Sequence, residues 1–188
     1  MARQDSDQAI NDLPALARRA VENYVTHGKQ LQLVRDVSGV LAARAPCFVS
    51  LKTGDGDLRG CIGTIEPVKD TLAEEIIANA ISAATHDPRF SPVSVEELSY
   101  LRYSVDVLLA PETARMEDLD PAVYGVIVED ETGKRRGLLL PAIPGVDTAV
   151  KQVEIAARKA GISPGTPLRL SRFRVERFLE RPTKHQGF

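Results

Sequence analysis

A thiol two residues from a guanidinium, flanked by glycines, is the most chemically loaded arrangement in the chain: Leu58-Arg59-Gly60-Cys61-Ile62-Gly63-Thr64. In an extended segment alternate side chains share a face, so Arg59, Cys61 and Gly63 project together while Leu58, Gly60, Ile62 and Thr64 face the other way. The Cα atoms of Arg59 and Cys61 then lie about 7 Å apart, near enough for a permanent cation to favour the thiolate. Gly63 is expected to leave open space beside the sulfur. Gly60 lets another backbone or a ligand approach closely, at a cost in strand stability. Together these features suit a small anionic ligand, with Cys61 as nucleophile or thiol carrier. The same residues admit a second reading, because free cysteine is among the most buried residue types and one between Gly and Ile also fills a tight gap.

A second polar cluster is Thr85-His86-Asp87-Pro88-Arg89-Phe90. His86 has the chemistry of a proton-transfer group held by Asp87, and Arg89 that of a clamp on a carboxylate or phosphate. For His86 and Asp87 the structural alternative is favoured: a His near a helix C-terminus interacts with the dipole, and an Asp-Pro-Arg turn fixes its own backbone. Cys47 is expected in the core. A two-residue loop at Gly54-Asp55 would put Cys47 and Cys61 on opposite faces of a hairpin, and a three-residue loop on the same face; no stable disulfide is expected. Gly54-Asp55-Gly56 with Gly60 is no dinucleotide fingerprint, since it joins two strands. Gly133-Lys134-Arg135 lacks the hydroxyl and spacing of a phosphate loop. His27, His86 and His185 are too scattered to call for a metal site, and no other cofactor is implied. Arg172, Arg174, Arg177 and Arg181 alternate with Glu176 and Glu180, as on a solvated strand face.

Several elements must position these groups. Apolar residues at helical spacing predict a helix over 13–27, with Asp12 as N-cap and Gly28 as the stop. Cys47 to Leu51 and Asp57 to Ile65 read as a β-hairpin. Thr71 and Glu74 form a capping box for a helix that stops near His86-Asp87-Pro88. Leu101 to Leu109 alternates as a strand with one wet face. Tyr124 to Val128 pairs with Gly137 to Leu140, a helix runs from about Thr148 to Ala160, and the last strand, Leu168 to Leu179, shifts parity between Leu170 and Phe173 as a bulge would. With hairpin-paired strands and too few helices for regular crossovers, the fold class is α+β: an antiparallel β-sheet flanked by α-helices. One domain is expected over 13–180, with flexible termini at 1–12 and 181–188.

Composition narrows the function classes. The chain has 188 residues, 43% hydrophobic and 27% charged, and its 24 Lys and Arg against 26 Asp and Glu give a net charge of −2. Without a basic excess to neutralise phosphates, nucleic acid is a poor partner. Two cysteines exclude a four-cysteine zinc site and a disulfide scaffold and fit a reduced, cytoplasmic setting. No apolar run approaches the ~20 residues of a membrane span.

The Leu58 to Thr64 motif occurs with Phe48-Val49-Ser50-Leu51 upstream and Asp87-Pro88-Arg89-Phe90 and Pro92-Val93 downstream. Val105-Asp106-Val107-Leu108, Tyr124-Gly125-Val126, Gly137-Leu138-Leu139-Leu140-Pro141 and Arg158-Lys159-Ala160-Gly161 follow in order. On these residues the chain resembles the AMMECR domain family, protein A of the AmmeMemoRadiSam system, over Leu16 to Glu180. The resemblance implies an α+β fold with a smaller subdomain beside a cleft, and a functional site at Arg59 to Thr64. Cys47 and His86 depart from the family pattern. The system's name implies a Memo-type protein and a radical SAM enzyme as partners. This chain lacks the three-cysteine motif for a radical SAM cluster of its own. Two readings result. One is a thiol-dependent enzyme or substrate-handling subunit, with Cys61 catalytic and Arg59, Gly60, Gly63, Thr64 and Arg89 binding a small anionic substrate. The other is a noncatalytic binding or adaptor module whose motif receives a peptide or metabolite.

Overall fold

The computed structural model describes residues 12–33 and 37–180. The expectations for 1–11 and 181–188, with Arg181 and His185, lie outside the described residues. In chain order the elements are α1 (Leu13–His27), β1 (Cys47–Lys52), β2 (Leu58–Gly63), α2 (Leu72–Thr85), β3 (Arg102–Leu108), β4 (Glu112–Ala114), β5 (Gly125–Asp130), β6 (Arg136–Leu139), α3 (Ala149–Lys159), β7 (Leu168–Phe173) and β8 (Val175–Leu179). The strands divide between two four-stranded sheets, β2-β1-β3-β8 and β4-β7-β5-β6. The class is α+β, and the chain separates into two compact units, Met1–Val107 with Arg177–Phe188, and Leu108–Glu176.

In the first unit Cys47, Val49 and Leu51 of β1 and Tyr103, Val105 and Val107 of β3 turn one face to the core, where α1 and α2 cover them. The caps form as their sequences require. Asp12 accepts from the backbone N–H of Ala15, Gly28 closes α1 in the left-handed region, and Thr71 and Glu74 make their reciprocal box on α2. In the second unit α3 lies on β5 and β6, burying Val153 and Ala156 against Val126, Val128 and Leu139. Gly137 makes this possible: a Cβ there would stand 2.2 Å from the carbonyl oxygen of Ala156.

Two differences from the sequence reading have local causes. The run from Leu168 to Leu179 breaks at Arg174, and its halves join different sheets, while β7 pairs with β5 in unbroken register through Phe173, so the expected bulge between Leu170 and Phe173 does not form. The arginines there are also less solvated than a bare strand face: Arg177 forks the buried Asp106 at 2.7 and 2.9 Å, and Arg172 meets Glu112 at 2.6 Å. Among the described residues no helix is long and apolar enough to cross a membrane.

Candidate functional site

The site is built on the β1–β2 hairpin. Thr53 and Asp57 close a three-residue loop, with the Thr53 N–H donating to the Asp57 carbonyl at 2.8 Å and Gly56 at φ +94°. Lys52 pairs with Leu58 and Leu51 with Gly60, so Arg59 is an extra residue in β2. This bulge decides where the thiols go. The loop alone would put Cys47 and Cys61 on one face; the one-residue offset sends Cys47 into the core and sets Cys61 on the other face, opposite Ser50.

Both glycines of the motif are required by packing. A Cβ on Gly60 would stand 2.2 Å from the Ala83 carbonyl oxygen, so the close approach expected there is made by the backbone of α2. A Cβ on Gly63 would stand 2.2 Å from the ring of Phe48, its cross-strand partner. The open space expected beside the sulfur at Gly63 is therefore filled by an aromatic ring, a consequence of register that the strand's own sequence does not contain.

Cys61 is half-buried, and the Ser50 hydroxyl donates to its Sγ at 3.1 Å. β2 is an edge strand, and side chains from the turn after α2 cover its free edge. The Cys61 N–H donates to Asp87 Oδ2 at 2.9 Å, and the Cys61 carbonyl accepts from Arg89 Nη2 at 3.3 Å. Arg89 also forks Asp87, through Nε to Oδ1 at 2.9 Å and Nη2 to Oδ2 at 2.7 Å. Asp87 thus does more than fix its own turn: its side chain, 2% exposed, ties Arg89 to Cys61, while the Arg89 side chain remains 54% exposed. His86 stands apart from this arrangement, exposed and hydrogen-bonded through Nδ1 to Thr85 Oγ1 at 2.7 Å.

Arg59 does not act on the sulfur as expected. Its Nε donates to Glu97 Oε1 at 2.6 Å and its Nη2 to Oε2 at 3.1 Å, and Glu97 also accepts from the Ser94 N–H to cap the 3-10 turn Val95–Tyr100. Only 13% of the Arg59 side chain is exposed, and its Nη1 is buried with no hydrogen-bond partner among the described residues. Burial pushes the Cys61 thiol up; the Ser50 hydrogen bond and the charge of Arg89 pull it down, while Asp106 and Asp87 add to the rise. The balance is upward, so the thiol is protonated near neutrality, and the cation opposing this is Arg89.

Thr64 belongs to a neighbouring network. Its hydroxyl donates to Glu75 Oε1 at 2.5 Å, while Glu75 Oε2 accepts from the N–H groups of Val68 and Lys69 at 3.0 and 2.8 Å. This buried carboxylate pins the loop leaving β2. The structure therefore gathers Arg59, Cys61 and Arg89, with Gly60 and Gly63 as packing requirements. It adds three residues that the sequence reading did not place there. Ser50 comes through register alone, Glu97 comes from the 3-10 turn that it also caps, and the Phe90 ring lies 5.8 Å from Arg59 Cζ and 5.5 Å from Arg89 Cζ. Among the described residues no group of His, Cys, Asp or Glu is arranged to hold a metal ion.

The AMMECR1 family model matches residues 14–181, a range that includes the hairpin, the turn after α2 and the second unit. The chain belongs to the AMMECR1 family. A Thermotoga maritima protein is 51% identical to it, over 86% of this chain and 94% of that protein. The Clostridium acetobutylicum protein CA_C1420 is 47% identical over 95% of this chain, which spans only 37% of that longer protein. Among solved structures, the Pyrococcus horikoshii protein PH0010 matches with a TM-score of 0.80 and 32% identity, covering 90% of each chain. The fold described above is thus shared with PH0010.

Proposed function

We propose that this AMMECR1-type chain is a cytoplasmic binding module, a substrate-handling subunit whose Cys61 face receives a peptide or metabolite for the Memo-type and radical SAM proteins that the family resemblance implies. One observation carries the reading: each guanidinium at the site is already forked by a carboxylate, Arg59 by Glu97 and Arg89 by Asp87, around a thiol whose pKa is raised. Such a site offers hydrogen bonds at balanced charge, and burial disfavours the thiolate that covalent chemistry needs.

A second reading, Cys61 as nucleophile on a small anionic substrate, draws support from the Ser50 hydroxyl and the charge of Arg89, both of which favour the thiolate. Alkylation of the full chain by iodoacetamide across pH separates the two. The binding reading expects Cys61 to react more slowly than free cysteine near pH 7, about where a small fraction of an ordinary thiol is ionised. Faster reaction than free cysteine at that pH would transfer the case to the nucleophile.

A further inference from the structure

We propose that the second unit carries a carboxylate-binding site of its own, independent of the Cys61 face and formed by the exposed Arg174 guanidinium and the Tyr124 hydroxyl. The arginine run and the Tyr124-Gly125-Val126 motif meet there. Two guanidinium groups share the Tyr124 ring, with Arg172 Cζ 4.3 Å and Arg174 Cζ 5.0 Å from its centre. They are not equivalent. Arg172 donates to Glu112 at 2.6 Å and to the Asp118 carbonyl at 2.7 Å, so its charge is balanced inside the unit. Arg174 is exposed, and among the described residues its side chain has one partner, Tyr124, met through the ring and through Nη2, which donates to the hydroxyl at 3.0 Å.

That hydrogen bond prepares the site in two ways. It holds a long surface side chain in place, so less freedom is lost when a ligand arrives. It also uses the Tyr124 oxygen as acceptor, which leaves the phenolic proton to be donated while Arg174 keeps Nε and Nη1 uncommitted. Charge decides which oxyanion fits. With Glu112 on Arg172, the one uncompensated charge on the ring is Arg174. A carboxylate brings one negative charge and two oxygens, one for the guanidinium and one for the phenolic O–H. A phosphate monoester, at about −1.5 to −2 near pH 7, would leave negative charge in excess beside Glu112.

The test uses the 15N-labelled full chain near pH 7 at constant ionic strength. Propionate, methyl phosphate and propionamide are the probes, and shifts are read at the Tyr124, Gly125 and Arg174 amides. Propionate is expected to bind more tightly than the other two. Tyr124→Phe keeps the ring and removes the phenolic donor, and it is expected to weaken propionate about tenfold; Arg174→Gln is expected to weaken it at least as much. Lys134→Gln removes the same charge from an exposed turn of this unit and is expected to change nothing. An acetylated, amidated alanyl-aspartyl-alanine separates the two sources of a carboxylate. Binding tighter than propionate assigns the site to acidic peptides, equal or weaker binding assigns it to small acids, and either supports it. Tighter binding of methyl phosphate would overturn the carboxylate assignment. No shift from propionate, no effect of Tyr124→Phe, or equal weakening by Lys134→Gln would overturn the site itself.

Discussion

Asp87 takes the Cys61 N–H, the Arg89 N–H and both edges of the Arg89 fork on two nearly sealed oxygens, so its charge is worth more folded than unfolded. The hydrogen bonds from Arg89, then that from Cys61, hold its carboxyl well below the usual carboxylate range against the opposing effect of burial. A depressed folded pKa means that this stabilisation is fully present above the unfolded value of about 4 and is lost as pH falls through the folded value. Asp87→Asn is therefore expected to cost about 1–3 kcal/mol at pH 7. Urea unfolding should show the gap between the two proteins narrowing as pH drops below about 4. A gap constant with pH would mean that Asp87 acts by shape alone. Part of this was legible beforehand, because extended spacing sufficed to bring Arg59 and Cys61 to one stretch of strand. Glu97 was not, since the partner of a buried guanidinium is chosen by tertiary packing, and here it comes from a turn whose local pattern already explained its carboxylate as a cap.

The hairpin, both capping signals and the alternation of β3 could be read from sequence because each is a local preference. The bulge at Arg59 could not, for it expresses the fit between a three-residue loop and two strand faces, and the residue types on either side do not announce it. The two motif glycines test how the element is held. At Gly63 the obstacle is a side chain, so Gly63→Ala should destabilise by about 1–3 kcal/mol, and much of that loss should vanish in a Phe48→Ala background. At Gly60 the obstacle is the α2 backbone, which no side-chain truncation moves, so Gly60→Ala should cost more, about 3 kcal/mol or above. Thermal unfolding of the single and double variants checks both. Additive losses for Gly63→Ala and Phe48→Ala would contradict the ring contact.

At the scale of the chain, the α+β class was legible from hairpin-paired strands and few helices, but the division into two sheets was not. The break at Arg174 is one residue long, and in a linear pattern it resembles a bulge. The chain leaves the first unit after Val107 and returns at Arg177, so that unit is closed by residues near the end of the sequence. Glu180 makes the closure: it accepts from Arg18 Nε at 2.5 Å, Arg18 Nη2 at 2.9 Å and the Tyr103 N–H at 3.2 Å, while Arg18 Cζ lies 4.7 Å from the Tyr103 ring. Glu180→Ala removes the fork from a guanidinium that is 22% exposed and leaves it Glu22 at 3.2 Å and the carbonyls of Leu98 and Leu101 at 3.3 and 2.7 Å. The expected cost is about 2–3 kcal/mol, below that of breaking a fully sealed pair because both side chains keep some contact with water. If each sheet opens as its own cooperative unit, hydrogen exchange should quicken in α1 and β3 and stay unchanged in β5 and β7, whose partners all lie within Leu108–Glu176. Equal acceleration in β5 and β7 would instead make the two sheets one cooperative body, with the loss at Arg18 felt throughout.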